Sequence, residues 1–272
     1  METVTWLTWE IPRWVLMWSI AVSMFAVLKG LSLHWARGLN ASRGRMAAYL
    51  FLWPGMDAAA FLKGSAEHVP DRREWSLAVL KTVIAVVLIM IAPIFEQPLL
   101  RGWIGMIGLV LFLHFGSFHL LSCFWRWRGV DAPPLMDRPL AATSVSAFWG
   151  RHWNVAFRDL THRMIFKPAL RRWGAPAALM AGFVFSGILH ELAVTVPAGA
   201  WHGGPTVFFV LQGLAALFER SKTGKALGLG HGPRGWFFTQ GLLLLTVPLL
   251  FPPPFALRII NPFLDFIHGL SF

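Results

Sequence analysis

The chain contains 272 residues, of which 56% are hydrophobic and only 14% are charged, and its formal net charge is +11. Soluble domains carry about 25% charged residues, so this composition excludes an ordinary soluble domain and indicates a protein embedded in a membrane. The single cysteine, Cys123, excludes an intramolecular disulfide framework and argues against a cysteine-based metal cluster, so no metal site is predicted.

Apolar runs long enough to cross the hydrocarbon core of a bilayer recur along the chain. An interrupted run, Met46 to Leu62, contains Trp53-Pro54-Gly55 and Asp57, which favours a re-entrant or interfacial segment. The fold class predicted is all-α: a polytopic membrane bundle of about six to eight transmembrane helices, forming one domain over residues 1–272. Six uninterrupted runs lie near residues 14–33, 76–95, 102–123, 176–196, 205–219 and 236–257.

Basic residues are concentrated in alternate connections between these runs. The connections after the first, third and fifth runs are rich in Lys and Arg, whereas the opposite side holds only Arg13, Arg101 and Arg258. The positive-inside rule therefore predicts that the rich connections are cytoplasmic and that both termini are not. This topology accounts for most of the net charge, so no nucleic-acid partner is predicted.

The longest polar connection, residues 124–175, contains a predicted amphipathic helix. Ser144 and Ser146 offer N-cap side chains, and Lys167-Pro168 would end the helix. Its predicted apolar side faces the membrane or the bundle, and paired arginines on its polar side would suit an anionic ligand. A plain interfacial helix, with Asn154 as one more polar residue, is the alternative. At about 100° per residue, the apolar side carries Trp149, Trp153, Ala156, Phe157, Leu160 and Met164, and the polar side carries Arg151, Asn154, Arg158 and His162.

The predicted helix 176–196 places a histidine well inside the hydrocarbon. Ser186, His190 and Val194 share one of its faces, with Gly182 and Gly187 nearby, where small residues allow close helix packing or room for a ligand. An ionisable residue at this depth is a functional-site hypothesis, because an uncharged imidazole can accept a proton from a hydroxyl. The structural alternative is a histidine that hydrogen-bonds a neighbouring helix.

Three other ionisable side chains are considered as partners or metal ligands. Glu191 follows His190 directly, and adjacent helical residues do not face each other, so contact between them is not expected. The sequence after His190 lacks the second histidine of the H-E-x-x-H zinc motif. His114 and His119 are five residues apart, a spacing that does not suit a metal pair on one helix face, although either could line a cavity.

Two ordered motifs identify a family resemblance. Ser144 to Asn154, followed by Phe166-Lys167-Pro168, and then Phe185 to Leu192, resemble the wax synthase branch of the membrane-bound O-acyltransferases. The segment Leu52 to Asp57 is also similar to an upstream family segment, so the resemblance covers about residues 45–220. The chain departs from the family pattern in being short and in carrying His152 at a position that is often basic in that branch.

The resemblance implies an enzyme that transfers an acyl group from acyl-CoA to a lipophilic alcohol and forms a wax-type ester. His190 matches the catalytic histidine and Asn154 the second polar residue of the active site. No cofactor is implied beyond acyl-CoA as a co-substrate, whose phosphates would meet cytosolic basic residues. The substrate-binding residues expected are Trp149, Trp153, Arg151, Arg158 and Ser186, and the further basic candidates are Arg163, Lys167, Arg171 and Arg172.

Three alternatives to this function remain at the level of sequence. The acceptor could instead be a sterol, a diacylglycerol or a glycan, a choice that depends on the lining of the substrate tunnel. A proton-coupled transporter could use His190 and Glu191 as a relay, although the sequence shows no internal repeat of the kind many transporters carry. A non-catalytic membrane scaffold would leave these two residues without a role.

Overall fold

The computed structural model describes residues 11–269 of the chain, and all regular secondary structure within them is helical. A single isolated antiparallel bridge, between Ser65 and Val130, is the only β-type pairing in this range. The prediction of an all-α membrane bundle is confirmed.

The first part of the chain forms six helices that pack together, of which the first and the fourth are the longest. A 3-10 turn, Ala92–Ile94, extends the fourth helix, and a π-helical stretch, Leu111–Ser117, joins the fifth to the sixth. These helices are α1 (Arg13–Trp35), α2 (Arg43–Leu52), α3 (Ala58–Lys63), α4 (Arg72–Ile91), α5 (Pro98–Val110) and α6 (Phe118–Trp127).

The middle of the chain is a series of short helices that leads into the helix ending at His190, here called the histidine helix. Three π-helical stretches, Phe148–His152, His162–Phe166 and Glu191–Thr195, interrupt the regular α-helix. Such wide turns are rare and are frequently found at functional sites. The helices are α7 (Val145–Ala147), α8 (Val155–Thr161), α9 (Lys167–His190) and α10 (Val196–Ala198).

In the last part of the chain, α11 packs on α9, and α13 packs on α11. A π-helical stretch, Ala256–Ile260, precedes the final helix. The helices of this part are α11 (Gly204–Arg220), α12 (Lys222–Ala226), α13 (Gly232–Leu250), α14 (Pro253–Phe255) and α15 (Asn261–Ile267).

Within residues 11–269, four helical segments are long and apolar enough to cross a membrane: Arg13–Trp35, Arg72–Ile94, Pro98–Trp127 and Val155–Ala198. A fifth crossing is possible if Gly232–Leu250 and Pro253–Ile267, which meet at a bend of 59°, act as one span. This count is lower than the six to eight helices expected from the apolar runs. One reason is that α11 has only 17 residues, at the short end of a membrane crossing.

Side-chain caps explain where the three helices after the first one begin. Ser42 accepts a hydrogen bond from the backbone N–H of Arg45 at 3.2 Å, Asp57 caps α3, and Asp71 caps α4. Each oxygen satisfies one of the backbone donors that a helix start leaves free. The interrupted run expected over residues 46–62 therefore divides into α2, a non-helical strap at residues 53–57, and α3, which begins after its cap Asp57.

The strap is held against α1 by two polar side chains. Lys29, only 2% exposed, donates to the carbonyl of Gly55 and lies 3.4 Å from the centre of the Tyr49 ring. Ser32 donates to the carbonyl of Met56 and accepts from the Tyr49 hydroxyl at 2.9 Å. Burial raises the pKa of Tyr49 to about 12, so its hydroxyl stays protonated and can donate.

The prediction of one continuous amphipathic helix after Ser144 is wrong, because the helix is interrupted at Trp153 and Asn154. Trp153 is extended and Asn154 has a φ of +43°, in the left-handed region. Asparagine tolerates this conformation, and its Oδ1 caps α8 by accepting from the N–H of Phe157 at 3.2 Å. The polar face that would join Arg151 to Arg158 therefore does not exist.

Lys167-Pro168 does not end the helix either. Pro168 lies in the first turn of α9, directly after the π-helical stretch. The helical run changes direction at Gly174 instead, where φ is +81°, a backbone conformation that side chains other than glycine rarely adopt. The histidine helix therefore begins just after Gly174, close to the predicted start at residue 176.

The basic residues of the sparsely charged side make specific contacts near one end of the bundle. Arg13 donates to the carbonyls of Pro197 and Ala198, and Arg258 donates to the same Ala198 oxygen at 3.0 Å. Arg101 pairs with Asp265. Arg13, Arg258 and the end of α10 thus lie together.

Candidate active site

A large cavity of about 1500 Å³ lies among the helices. Its walls come from α1, the strap, α4, α5, α6, α9, α11 and α13, together with the connection that carries α7 and α8. Most of the lining side chains are aliphatic or aromatic. The volume exceeds the roughly 300–1,000 Å³ of pockets for drug-sized ligands, so the cavity has room for long hydrocarbon chains.

His190 lines this cavity at the end of α9, where the π-helical stretch begins. Its Nδ1 lies 2.7 Å from the carbonyl oxygen of Ser186, one helical turn earlier. A carbonyl oxygen only accepts, so Nδ1 carries the proton and Nε2 keeps a lone pair. Nε2 has no hydrogen-bond partner within residues 11–269 and retains accessible surface, so it is free to accept a proton from a ligand.

Asn154 lines the same cavity from the break before α8. Its Oδ1 is used by the cap to Phe157, and its backbone N–H lies 3.1 Å from the sulfur of Met136. The carboxamide nitrogen has no partner within the described part of the chain. The cap therefore orients this side chain so that its two N–H donors remain for a ligand.

Aromatic side chains connect the two polar groups around the cavity. The His190 ring lies 4.7 Å from the ring of Phe209, which lies 5.3 Å from Trp149. Trp149 also donates to Gln212, a fully buried residue that is held in turn by Thr246 at 3.0 Å. This buried chain of hydrogen bonds fixes Trp149, because each polar atom in it has a defined partner.

On the other side of the break, Trp153 stacks on Phe148, with ring centroids 5.6 Å apart and planes at 14°. It also stacks on His114, with centroids 5.9 Å apart and planes at 23°. His114 lines the cavity, an option that the sequence left open. Trp149 and Trp153 therefore both form cavity walls, from opposite sides of Gly150 to His152.

The structure brings six of the seven predicted site residues to one cavity. Arg151 is exposed and does not line it. Arg158 does, but it also donates to the Gly150 carbonyl and pairs with Asp159 at 2.7 Å. The six lining residues are Asn154, His190, Trp149, Trp153, Arg158 and Ser186.

Glu191 binds backbone and hydroxyl groups near the start of α11 and does not contact His190 through a hydrogen bond. Its carboxylate accepts from Thr195 at 2.5 Å and from the backbone N–H groups of Gly203 and Thr206 at 3.1 and 3.0 Å. It thereby caps the start of α11, where free N–H groups and the helix dipole favour a negative charge. No hydrogen bond joins Glu191 to His190, so the structure contains no direct relay between them.

Glu219 plays the same part for the segment that carries Trp149, and sequence reasoning missed it. The side chain is 4% exposed and accepts from the backbone N–H groups of Val145 and Ser146, both at 2.8 Å. The two partners are more than 70 residues away along the chain, so no local pattern signals the contact. Gln212 was missed for the same reason.

Most of the basic residues that the sequence offered for the phosphates of CoA do not line the cavity. Arg163, Lys167, Arg171 and Arg172 do not line it. Arg138 and Arg220 are exposed, so the cavity opens to the exterior beside them. No Asp or Glu lines the cavity, which leaves its polar part positively charged. The lining cations are Lys81, Arg138, Arg158 and Arg220.

Glu74, His119 and Cys123 form the one group within residues 11–269 whose ligand atoms lie close enough for a metal, all within 4.8 Å of one another. Arg126 donates to the Glu74 carboxylate and lies 3.8 Å from the Cys123 sulfur. Lys81 lies 3.4 Å from His119. Arg126 already pairs with the carboxylate, which also lies 3.1 Å from Nε2 of His119, so the group is explained as a polar network between α4 and α6.

Comparison with known proteins connects this cavity to a family. Residues 132–211, which contain both Asn154 and His190, match the model of the membrane bound O-acyl transferase family. A long-chain-alcohol O-fatty-acyltransferase of Simmondsia chinensis is 32% identical over 102 residues, or 34% of this chain and 28% of that protein.

Proteins of Arabidopsis thaliana give similar matches. Probable long-chain-alcohol O-fatty-acyltransferase 9 is 30% identical over 146 residues, which cover 47% of this chain and 41% of that protein. Probable long-chain-alcohol O-fatty-acyltransferase 1 is 36% identical over 103 residues, which cover 34% of this chain and 29% of that protein. The chain therefore spans less than half the length of these curated relatives.

Proposed function

We propose, from the membership of residues 132–211 in the membrane bound O-acyl transferase family, that this integral membrane protein transfers an acyl group from acyl-CoA to the hydroxyl of a long-chain alcohol. The observation that carries the proposal is that His190, with a free Nε2, and Asn154, with a free carboxamide nitrogen, line the same large apolar cavity. Both termini are proposed to lie outside the cytoplasm.

In the proposed reaction, Nε2 of His190 takes the proton of the alcohol while the alcohol oxygen attacks the thioester carbonyl carbon. Asn154 donates an N–H to the oxyanion that develops on that carbonyl. Collapse of the tetrahedral intermediate breaks the carbon–sulfur bond, and the departing thiolate recovers the proton from His190. The products are an ester and free coenzyme A thiol, and the histidine returns to its initial state.

The lining of the cavity supports these two substrates. The apolar walls suit the hydrocarbon of an acyl chain and of an alcohol, and the volume of about 1500 Å³ allows both to be present. The exposed side chains of Arg138 and Arg220 suit the phosphates of coenzyme A, and Asp137, which pairs with Arg138 at 3.2 Å, does not line the cavity. The wax-type alcohol is preferred over a sterol, a diacylglycerol or a glycan because the similar proteins are named for long-chain alcohols.

The test is transfer of a labelled acyl group from acyl-CoA to a fatty alcohol by the purified protein. His190→Ala is expected to lower kcat by at least about 10²–10⁴-fold, the usual contribution of a general base. His268→Ala is the matched control, because His268 makes the same Nδ1 contact to a carbonyl, at 2.7 Å, but does not line the cavity. Equal activity of wild type and His190→Ala would remove the assignment, and preference for a sterol, diacylglycerol or glycan would change the acceptor.

A further inference from the structure

The cavity contains a second histidine with the same arrangement as His190. Nδ1 of His114 lies 3.3 Å from the carbonyl oxygen of Val110, one turn earlier, just as Nδ1 of His190 lies 2.7 Å from that of Ser186. His114 lies within one π-helical stretch, and His190 directly precedes another. The two histidines therefore share both the contact made by Nδ1 and a π-helical backbone nearby.

The contact of Nδ1 with a carbonyl leaves Nε2 of His114 as a hydrogen-bond acceptor. Because the carbonyl fixes the proton on Nδ1, Nε2 carries a lone pair, and it has no partner within residues 11–269. Nε2 retains accessible surface, whereas that of His268 is enclosed. A ligand that fills the cavity would displace solvent from this acceptor, so binding is favoured if the ligand brings a donor to this position.

A long-chain alcohol brings one donor, its reacting hydroxyl, and the proposed mechanism assigns that donor to His190. The hydrocarbon chains bring none. The remaining source is the arm of coenzyme A, which carries secondary amide N–H groups between its phosphates and its sulfur. Such an arm would run from the basic residues of the lining to the reacting carbonyl.

His114 lies along that route. It lines the same cavity as Lys81, one of the basic lining residues, and stacks on Trp153, the neighbour of Asn154 in the chain. We propose that His114 is a substrate-binding residue whose Nε2 accepts a hydrogen bond from an amide N–H of the acyl donor's arm. This inference rests on the proposed use of acyl-CoA.

The variants His114→Phe and His114→Gln test the inference. Phenylalanine keeps a ring that can stack on Trp153 but removes the acceptor, so the KM for acyl-CoA is expected to rise about three- to tenfold, as for one lost hydrogen bond. The KM for the alcohol and kcat should stay within about twofold of wild type. Glutamine offers a carbonyl oxygen and should restore part of the affinity for acyl-CoA. His268→Phe is the control and should match wild type.

An acyl donor that lacks amide groups provides a second test. With an acyl thioester of a simple alkanethiol, wild type and His114→Phe should have the same KM. A lower kcat with an unchanged donor KM, or a rise in the alcohol KM alone, would overturn the inference. His114→Leu repeats the measurement if phenylalanine prevents folding.

Direct binding separates this inference from the proposed function. Equilibrium binding of labelled acyl-CoA should be about three- to tenfold weaker to His114→Phe than to wild type, and equal affinity overturns the role of His114 whatever the activity. Failure of wild type to transfer an acyl group to any alcohol, with the difference in binding preserved, overturns the proposed reaction only.

Discussion

The carboxylate of Glu191 accepts a hydrogen bond from the backbone N–H of Thr206 at 3.0 Å, and so fastens the end of the His190 helix to the start of α11. We expect Glu191→Ala to lower the free energy of unfolding by about 1–3 kcal/mol, because it leaves helix-start donors without their charged acceptor. Glu191→Gln should cost less, since its oxygen still accepts. Thermal unfolding in detergent measures both.

The same two variants separate a structural from a catalytic Glu191. Since Glu191 makes no hydrogen bond to His190, the folded fraction of Glu191→Gln should transfer acyl groups at nearly the wild-type rate. A well-folded Glu191→Gln without activity would contradict this and would favour a proton relay through the pair.

A second contact between the same helices is a close approach of backbones. A Cβ added at Gly187 would lie 2.8 Å from the Cα of Thr206, a distance that requires the helices to move apart. Gly187→Ala is therefore expected to destabilise the protein by about 1–3 kcal/mol. It should also lower activity, because α9 carries His190.

Gly241→Ala is the matched control for this prediction. Gly241 also lies within a helix, α13, but nothing lies within 4 Å of its added Cβ. Alanine there should be neutral or stabilising by up to about 1 kcal/mol, from its higher helix propensity. Equal unfolding temperatures for the two variants would show that α9 and α11 are not in such close contact.

The contacts at Glu191 and Gly187 also show which features of the site could be predicted from the sequence. A histidine inside an apolar run is visible because such a residue is costly in hydrocarbon. Gly187 was recognised as a small residue in the same run. The resemblance added Asn154, and the structure places both polar residues in one cavity.

The remaining features depend on backbone conformation or on contacts between distant segments. The helical pattern of Trp149 to Met164 continues through Asn154, so periodicity did not reveal its left-handed conformation. The caps made by Glu191 and Glu219 join elements that only the tertiary fold brings together. For the same reason the basic residues of the cavity could not be chosen from one helix face.

Asp131 gives a prediction about pH. Burial raises its pKa above the usual value, and the nearby charges of Asp57 and Glu67 raise it further. Because its pKa is higher in the folded than in the unfolded state, ionisation favours unfolding, and the cost develops as the pH rises through these two values. Asp131→Asn should therefore raise the unfolding temperature at pH 7 but not at a pH below the unfolded-state pKa of about 4.

The measurement is thermal unfolding of both proteins across that range. The effect should be modest, because Asp131 is only partly buried and solvent screens its neighbours. Glu96→Gln, which removes an exposed carboxylate that makes no ion pair in the described part of the chain, is the control. Stabilisation by Asp131→Asn that is equal at both pH values would point to packing instead of charge.

The cations of the cavity lining give a prediction about the acyl donor. Arg138→Gln and Arg220→Gln should each raise the KM for acyl-CoA, and the increase should shrink at high salt, because salt screens exposed charges. Arg171→Gln, which removes an arginine outside the lining, should leave this KM unchanged. The reverse result would assign the phosphates to the further basic candidates of the sequence, among them Arg171.

Asn154 permits a test that separates its two functions. Aspartate also tolerates the left-handed backbone and can cap α8, but it has no N–H donor for the oxyanion. Asn154→Asp is therefore expected to unfold near the wild-type temperature while kcat for acyl transfer falls by about 10²–10³-fold, as for a lost oxyanion donor.

Asn154→Ala provides the comparison, because it removes the donor and the cap together and places a Cβ residue without a capping oxygen at a φ of +43°. It should lose both stability and activity. If Asn154→Asp instead retained most of its kcat, the carboxamide nitrogen would not donate to the reacting carbonyl. Asn154 would then act through the cap alone, by holding Trp153 in the cavity wall.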